Sequence, residues 1–507
     1  MTLPPSARPV ALAWALVGTL VSIPYLIAVL DPPPGRVFVG TFHWVDDLYN
    51  YASFVQQAED GHVLFRNKLL LEDDAGRLVN LEWSIVGWVS RVCGRRPFLA
   101  YRLFALAALA GLLAAADRAL GRAGLPATHR FPALMLVSLG GGLGGILFDL
   151  TARPIFRSAD LYVGFYPFLE ALANPHWLAG TWLLLESLLA FDGPPSRRGT
   201  LRAIALGSAL GLVRPYDLAL LAAAHLAALA AAARPRDWLR RALPLAGLLP
   251  VVIYNYAVFY ASPTFRTFGA GGTAYASPPS SDLLWALGPA ALAAMAGIRR
   301  PAANESGRVV RAQLWAWAGI AVLIVWLRPV SFALQFAVGV GLPLLVLAAL
   351  GLARLGPAAL AVVALAFSSS AVVATQIVLR PDPNWHVPAE RMAAARMLRP
   401  ACRPGDLAFA PADIGLYALG LTSCRPFVSH PWEPDHAERQ AIAAAFYSTQ
   451  APAVRTEILD RLRVRHLLLP GDPGPVPEGW LGVATPFRQA ARVGDGAGTI
   501  SLYSRVH

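Results

Sequence analysis

Long apolar segments alternate with short polar connections over the first three quarters of the chain. A helix needs about 20 apolar residues to cross the hydrocarbon of a bilayer. Candidate spans lie near residues 10–30, 98–117, 131–148, 175–191, 200–213, 216–233, 242–260, 282–298, 312–327, 329–350 and 356–379. This pattern predicts an α-helical polytopic membrane protein with about 11 transmembrane helices.

The apolar segment 81–93 is too short to be a further span. It has about two thirds of the required length and carries Glu82 and Arg91. Its Trp83 and Trp88 suit the headgroup level of a membrane. We therefore expect an interfacial helix that does not cross the bilayer.

Arginine clusters mark one side of the predicted membrane region. They lie near residues 118–130, 197–202, 234–241, 299–311 and 354. Cationic residues favour the cytoplasmic side, and these clusters share one side only if segment 81–93 does not cross. The N-terminus is then cytoplasmic, while loop 31–97 and the C-terminal region are external. We predict a transmembrane domain at 1–380 and a separate domain at 381–507.

The hydropathy of the chain falls to that of a soluble protein from Pro381 onward. Helical periodicity there alternates with short apolar runs that Pro and Gly bound. The predicted helices are Pro388 to Leu398, His436 to Tyr447 and Ala453 to Leu462, and the predicted strands are Leu407 to Ala410, Pro426 to Ser429 and His466 to Leu469. The sequence therefore predicts a small extracytoplasmic α/β domain.

Composition supports the membrane class and excludes others. Hydrophobic residues make up 56% of the chain and charged residues 15%, against roughly 25% charged in soluble domains. The net charge of +12 comes from arginines between apolar runs, so we expect no nucleic-acid partner. Ala, Arg, Gly and Pro dominate and Lys68 is the only lysine, which indicates a high-GC bacterial genome. We therefore expect a bacterial inner-membrane location.

The 3 cysteines are too few for a zinc cluster or a disulfide framework. Cys402 and Cys424 form one disulfide if their domain faces an oxidising compartment, and are otherwise independent thiols. The glycine run at 140–145 lacks the strand-to-helix context of a phosphate-binding loop. It falls inside a candidate span, where close helix packing explains it.

Two adjacent carboxylates, Asp46 and Asp47, follow the first apolar segment. In one interpretation they start and cap an amphipathic surface helix. In the other, one of them points into a cavity while its neighbour faces solvent, because consecutive helix residues do not share a face. The local sequence leaves both open.

The order of features along the chain resembles the GT-C superfamily of glycosyltransferases that use polyprenyl-phosphate sugars. The shared order is one span, an external loop with an acidic pair followed by an aromatic residue, amphipathic helices, many short spans and an external C-terminal domain. The similar strings are Asp46-Asp47-Leu48-Tyr49-Asn50-Tyr51, Tyr101-Arg102, Asn174-Pro175-His176, Arg214-Pro215-Tyr216-Asp217 and Phe427-Val428-Ser429-His430-Pro431-Trp432-Glu433. The resemblance covers nearly the whole chain.

The resemblance implies that loop 31–97 is catalytic. Its acidic residue is the base that deprotonates an acceptor hydroxyl while the lipid phosphate leaves with inversion, a role that falls to Asp46, with Asp47 as the alternative. The implied partners are a polyprenyl-phosphate-linked sugar, the membrane lipid, and a glycan, lipid or protein acceptor.

A lipid-phosphate leaving group calls for arginines at the outer ends of spans, because a guanidinium binds phosphate bidentately. We favour Arg214 and Arg328, each before a proline in a tight bend, then Arg102. Arg153 and Arg157 are weaker candidates. Interfacial arginines also commonly extend towards headgroups without any ligand.

The superfamily often has a second acidic residue in the next external loop, which orients the acceptor or, in some branches, binds a metal. Asp149, Asp160 and Glu170 are available, and we favour Asp160, then Glu170. His176 could bond phosphate or sugar, or simply open a helix. We expect no required cofactor, with a divalent cation as the alternative.

The string from His430 to His436 contains metal-type ligands but no zinc spacing, so we expect no metal there. We predict a lid or acceptor-binding loop formed by His430, Trp432 and Glu433, with Trp432 stacking on sugar. The alternatives to a glycosyltransferase are a lipid-linked-sugar flippase, which favours two related halves with mid-membrane charges, and a non-catalytic subunit of glycan assembly.

Overall fold

The computed structural model describes the whole chain except residues 1–6, 73–75, 145–158, 162–163, 193–195, 260–277, 279, 299–301, 303, 331, 367–368, 380–382, 450, 471–486, 495–498 and 506–507. Three candidate residues of the sequence analysis, Asp149, Arg153 and Arg157, lie outside the described residues.

Helices form most of the described chain. They are α1 Arg8–Leu30, α2 Val45–Glu59, α3 Leu81–Val92, α4 Pro97–Arg122, α5 Arg130–Leu139, α6 Pro167–Ala173, α7 Pro175–Phe191, α8 Arg197–Val213, α9 Asp217–Ala232, α10 Trp238–Ala246, α11 Leu249–Phe259, α12 Ser280–Ile298, α13 Glu305–Leu327, α14 Gly341–Leu352, α15 Gly356–Ala366, α16 Ser369–Leu379, α17 Ala389–Ala401, α18 Ala412–Leu421, α19 His436–Ser448 and α20 Pro452–Arg461. The strands are β1 Arg36–Phe38, β2 His386–Pro388, β3 Leu407–Phe409, β4 Arg425–Pro426, β5 His466–Pro470, β6 Phe487–Val493 and β7 Ile500–Arg505.

The chain divides into two compact units. The first includes residues 1–27, 101–260 and 273–381, and the second includes residues 28–100 and 382–507. The predicted domain boundary near residue 380 stays a prediction. The structure adds that loop 31–97 packs with the C-terminal region, because residues from both segments share one hydrophobic core.

Apolar helices suited to a membrane are concentrated in the first unit. Five helical segments of the described chain are long and apolar enough to cross a bilayer, namely α1, α4, α12, α13 and the segment Ala333–Ala364. Helices α10 and α11 meet at 43° and make a sixth if the bent pair is one span. The candidate spans at 175–233 form α7, α8 and α9, which have 17, 17 and 16 residues.

The candidate span at 131–148 departs from its predicted form. Helix α5 ends at Leu139, and Gly140 has extended backbone, so the prediction that the glycine run lies within a span is wrong at its start. The predicted close packing is present, since a Cβ on Gly142 would lie 2.4 Å from the Ala286 carbonyl oxygen. Gly145 lies outside the described residues.

A mixed five-stranded sheet organises the second unit, in the order β4-β3-β5-β7-β6. Strand β3 is parallel to β4 and β5, while β7 is antiparallel to β5 and β6. Successive side chains of a strand point to opposite faces. Accordingly, Ala408 and Leu468 pack in one core with α17 and α18, and Phe409 and Leu469 pack in a second core with α19 and α20.

The sequence located the three predicted helices and three predicted strands of this region to within a few residues. Helix α18 and strands β6 and β7 were not predicted. The short strands β1 and β2 form a separate antiparallel pair that joins Phe38 to His386.

Helix α3 packs on α2 in the second unit. A Cβ on Gly87 would lie 2.4 Å from the Ala58 Cβ, so the two helices approach closely. Trp83 is buried and stacks on Phe54 at 4.4 Å, which corrects its expected headgroup position. Trp88 is 62% exposed, and with 12 residues the helix is too short to span a bilayer.

Candidate active site

Helix α2 positions the acidic pair at its first turn. Residue Trp44 precedes the helix with left-handed backbone, φ 53° and ψ 54°, and no side chain caps the helix start. Asp46 and Asp47 therefore lie where the amide dipoles of the helix favour negative charge. The turn before them is held by Thr41, whose Oγ1 donates to the His43 carbonyl oxygen at 2.9 Å.

The remainder of α2 is anchored by a fully buried tyrosine. The Tyr49 hydroxyl donates to the Val39 carbonyl oxygen at 3.1 Å. Its ring lies edge-on to the rings of Tyr417 and Phe98, at 5.0 and 5.3 Å between centroids. Residue 420 is glycine for a steric reason, since a Cβ there would lie 2.8 Å from the Tyr49 carbonyl oxygen. These contacts fix the helix that carries the carboxylates.

A buried imidazole faces the acidic pair. The His430 Nε2 atom lies 3.5 Å from Asp47 Oδ1, and the two side chains are 1% and 21% exposed. The His430 Nδ1 atom accepts the backbone N–H of Trp432 at 3.0 Å. A neutral imidazole has one donor and one acceptor nitrogen, so this bond places the proton on Nε2, which faces Asp47.

Asp46 is partly buried beside Asp47. Partial burial raises its pKa above the usual value, and the neighbouring charge of Asp47 raises the pKa further. Proximity to His430 and His436 acts in the opposite direction. Within the described chain the Asp46 carboxylate accepts no hydrogen bond, which leaves its oxygens available to a ligand.

Glu433 holds the loop that carries His430. Its buried carboxylate accepts hydrogen bonds from the Ser429 backbone N–H and from the Ser429 hydroxyl, the latter at 2.8 Å. It also accepts the Nδ1 proton of His436 at 3.0 Å, and Arg439 Nη1 lies 3.6 Å away. Both carboxylate oxygens of Glu433 accept hydrogen bonds from within the loop, so this side chain stabilises the loop and is not free to bind a ligand.

The predicted lid residues therefore have three different positions. His430 meets the acidic pair, Glu433 is an internal brace, and the Trp432 side chain is 36% exposed. The sequence analysis did not select His436, whose charge acts on Asp46. No helical spacing marked it, because Glu433 precedes the helix that begins at His436.

Arg214 is sealed inside the first unit. Its side chain is 0% exposed, and its Nε lies 2.8 Å from Asp217 Oδ2. Its Nη2 donates to the Gln335 carbonyl oxygen at 3.0 Å. A Cβ on Gly180 would lie 2.0 Å from Arg214 Cδ, so the glycine makes room for this side chain. The Nη1 atom has no hydrogen-bond partner within the described chain.

The second acidic candidates are also buried in the first unit. Glu170 is 0% exposed and accepts a hydrogen bond from the Thr181 hydroxyl at 2.9 Å. Asp160 is 1% exposed, on a short 3₁₀ segment. His176 is also buried. Asp217, which the sequence analysis quoted but did not select, is the ion-pair partner of Arg214.

The two remaining arginines differ in availability. Arg102 Nη1 donates to the Leu172 carbonyl oxygen at 2.8 Å, and its guanidinium stacks 4.2 Å from the Tyr25 ring centroid. Arg328 is exposed and ends α13 with left-handed backbone, φ 52°. Its guanidinium has no partner among the described residues, and Trp326 beside it is 63% exposed.

The C-terminal cysteines are bonded. Cys402 and Cys424 form a disulfide with 5.2 Å between their Cα atoms. Together with His466 they are the one group of the described chain with metal-ligand proximity. Sulfurs joined in a disulfide are not the thiolates that zinc binds, so these residues do not fit a metal. A metal-free active site stays a prediction.

No protein-family model matches the chain, and no curated protein matches it by sequence. Solved structures do match. The arabinofuranosyltransferase AftD from Mycobacteria aligns at TM-score 0.60 and 16% identity, over 100% of this chain and 40% of AftD. ArnT from Cupriavidus metallidurans in the apo state aligns at TM-score 0.53 and 14% identity, over 97% of this chain and 98% of ArnT. ArnT bound to undecaprenyl phosphate aligns at TM-score 0.53 and 14% identity, over 96% and 97%.

These similarities define the class as a multi-pass, mainly helical membrane protein with a small C-terminal sheet region. More particularly, the chain has the fold of the GT-C membrane glycosyltransferases. The predicted helical membrane fold and the resemblance in fold are thereby confirmed, and the count of about 11 transmembrane helices stays a prediction. The chain covers 40% of the length of AftD.

Proposed function

We propose that this protein is a membrane glycosyltransferase that moves a sugar from a polyprenyl-phosphate donor to an extracytoplasmic glycan, lipid or protein. The carboxylate pair at the start of α2, faced by the buried His430 imidazole, carries the proposal. Likeness to an arabinofuranosyltransferase and to ArnT, which has been solved with undecaprenyl phosphate, supports it.

Asp46 is the proposed base. The acceptor oxygen attacks the anomeric carbon as the bond from that carbon to the lipid phosphate breaks. The phosphate leaves with the electron pair, and the acceptor proton moves to Asp46. A raised pKa makes Asp46 a stronger base, which speeds proton removal as long as the group is ionised at the working pH.

Asp47 is the proposed partner of the base. Its negative charge raises the proton affinity of Asp46, and repulsion between the two carboxylates is relieved when Asp46 takes the proton. His430 Nε2 faces Asp47 Oδ1 at 3.5 Å, and a proton on this nitrogen stabilises the charge of Asp47. Asp47 stays the alternative base.

Arg328 is the proposed first contact of the donor phosphate, since its guanidinium is exposed and uncommitted. Arg214 has only Nη1 available to bind a phosphate, and Arg102 already donates hydrogen bonds to carbonyl groups at a helix end. We therefore rank both below Arg328 as ligands of the donor phosphate. Asp160, Glu170 and His176 are buried, and we assign them to shaping the fold around a ligand.

We place the protein in the bacterial inner membrane, with the N-terminus cytoplasmic and with loop 31–97 and domain 381–507 extracytoplasmic. The disulfide of Cys402 and Cys424 supports this orientation, because such bonds persist in oxidising compartments. Membrane domain 1–380 would then hold the lipid donor.

The test is transfer by purified full-length protein from a panel of polyprenyl-phosphate pentoses and hexoses to cell-envelope acceptors. Loss of a general base typically costs 10² to 10⁴ in rate, so we expect Asp46→Asn to lose about that factor. Glu438→Gln is the matched control, an exposed carboxylate on α19, and should transfer normally.

Folding must be measured beside activity. Because the folded state raises the Asp46 pKa, ionisation of this group opposes folding, and Asp46→Asn should unfold at the same or a higher temperature. Wild-type transfer by both Asp46→Asn and Asp47→Asn would show that neither carboxylate is the base.

A further inference from the structure

A cationic cavity lies in the first unit, separate from the residues assigned above. It has a volume of about 270 Å³ and is lined by Arg118, Arg122, Arg198, Arg202 and Glu186, together with apolar side chains. The ends of three helices form it, namely the C-terminal halves of α4 and α7 and the N-terminal turns of α8.

The charges of the cavity do not balance. Glu186 is 8% exposed and is the only carboxylate that lines the described cavity, where it bonds both Arg118 and Arg202. Arg122 donates to the Leu189 carbonyl oxygen at 2.6 Å. Arg198 is exposed and has no partner among the described residues. One carboxylate against four guanidinium groups leaves an excess of three positive charges.

Asp192 lies behind the cavity and offsets only part of this excess. Its carboxylate is 3.9 Å from Arg122 but only 3.4 Å from Arg241, so it is shared with an arginine outside the cavity. It also accepts the Ser306 hydroxyl at 2.5 Å. An anion in the cavity therefore meets a net positive surface.

The position of the cavity suits a lipid. Arg122 closes α4, one of the helices long and apolar enough to span a bilayer. The lining includes Leu189 and Ala190, and Leu201 beside Arg202 is 57% exposed. A guanidinium cluster next to exposed apolar side chains at a helix end is typical of the membrane surface.

We propose that this cavity binds the phosphate group of an anionic phospholipid in the cytoplasmic leaflet. Arginine binds phosphate oxygens bidentately, and the N-terminal end of α8 adds positive potential. Basic pockets between membrane helices on the cytoplasmic side suit such headgroups. The assignment of the leaflet rests on the proposed orientation, and the binding chemistry does not depend on transferase activity.

The test is lipid retention by the full chain in mixed nanodiscs of phosphatidylglycerol and phosphatidylcholine, followed by native mass spectrometry after extraction. Each surface arginine contributes about 1 kcal/mol to the binding of anionic lipid. We therefore expect Arg198→Gln to bind phosphatidylglycerol roughly 5-fold more weakly than the wild type. The double variant Arg198→Gln/Arg202→Gln should bind it roughly 30-fold more weakly. Arg236→Gln, an exposed arginine outside the cavity, is the control and should retain the lipid.

A variant with the opposite sign separates binding from folding. Glu186→Gln keeps an acceptor for Arg118 and Arg202 but removes the opposing charge, so phosphatidylglycerol should bind more tightly than in the wild type. Equal retention by the wild type and the double arginine variant would overturn the proposal, as would weaker binding by Glu186→Gln.

Competition with inorganic phosphate identifies the source of the anion. If millimolar phosphate leaves the bound phosphatidylglycerol in place, the lipid is the ligand, as proposed. If phosphate displaces it completely, in the wild type and in the Arg236→Gln control alike, the lipid assignment fails. None of these experiments measures sugar transfer, so a negative result for lipid binding does not test the proposed function.

Discussion

Replacement of Lys68 by methionine should change how the stability of the second unit depends on pH. Lys68 is the only lysine in the chain and is buried. Its ammonium donates to Gln56 Oε1 and to the Thr422 carbonyl oxygen, both at 2.6 Å, and to the Leu419 carbonyl oxygen at 3.3 Å. It thereby ties the first loop to the end of α18.

Burial lowers the pKa of Lys68 from 10.5 to about 7. Between these values the unfolded chain holds a proton that the folded chain has released, so the free energy of unfolding rises with pH in this window. The rise is about 1.4 kcal/mol per pH unit, or about 5 kcal/mol over the window. From pH 7 to pH 9 the Lys68 contribution should increase by up to about 3 kcal/mol.

The assay compares thermal unfolding of the wild type and Lys68→Met at matched heating rates from pH 7 to pH 9. At roughly 2 to 4 °C per kcal/mol, the wild type should gain roughly 5 to 10 °C relative to the variant. Lys68→Arg is the matched control, because arginine stays charged and should give no such gain. A difference between wild type and Lys68→Met that stays constant with pH would refute the reasoning.

Two further predictions concern packing and cross-linking. Gly180→Ala should push the buried Arg214 guanidinium from its ion pair and lower the free energy of unfolding by about 3 to 5 kcal/mol. The control is Gly319→Ala, because a Cβ there meets nothing within 4 Å and should not destabilise the protein. Equal thermal unfolding temperatures for the two variants would contradict the steric argument. The Cys402–Cys424 disulfide, with a sequence separation of 22, should contribute about 3 kcal/mol by constraining the unfolded chain. A reductant should then lower the unfolding temperature, and an unchanged value would refute this contribution.

Local sequence patterns predicted the parts of the fold that depend on local physics. The periodicity that begins near His436 and the apolar run at His466 gave α19 and β5 to within a residue or two, because burial of one face imposes its period on the sequence. Helix α18 has apolar residues on all sides, so it showed no helical period. Strands β6 and β7 pair with each other and with β5, a tertiary relation that no local pattern encodes.

The candidate site was predicted as separate pieces. The acidic pair and the His430 loop were both selected, but their meeting depends on the packing of α2 against α18 and α17, which brings together segments far apart in sequence. The internal hydrogen bonds of Glu433 were hidden for the same reason. In the sequence, a glutamate between two prolines looks like a residue that can bind a ligand. In the structure, its hydrogen bonds with Ser429 and His436 stabilise the loop instead.

The pairing of early and late segments in the second unit also sets when the site can exist in a growing chain. Gln56 bonds Ser423, 367 residues later, and Phe38 pairs with His386. At roughly 5 to 20 residues per second, ribosomes need roughly 20 to 70 s to make that intervening chain. During this time α2 and its two aspartates have no C-terminal partner. Chains that stop before residue 382 would lack the partner of the proposed catalytic loop, so the proposed transfer requires synthesis of the C-terminal segment.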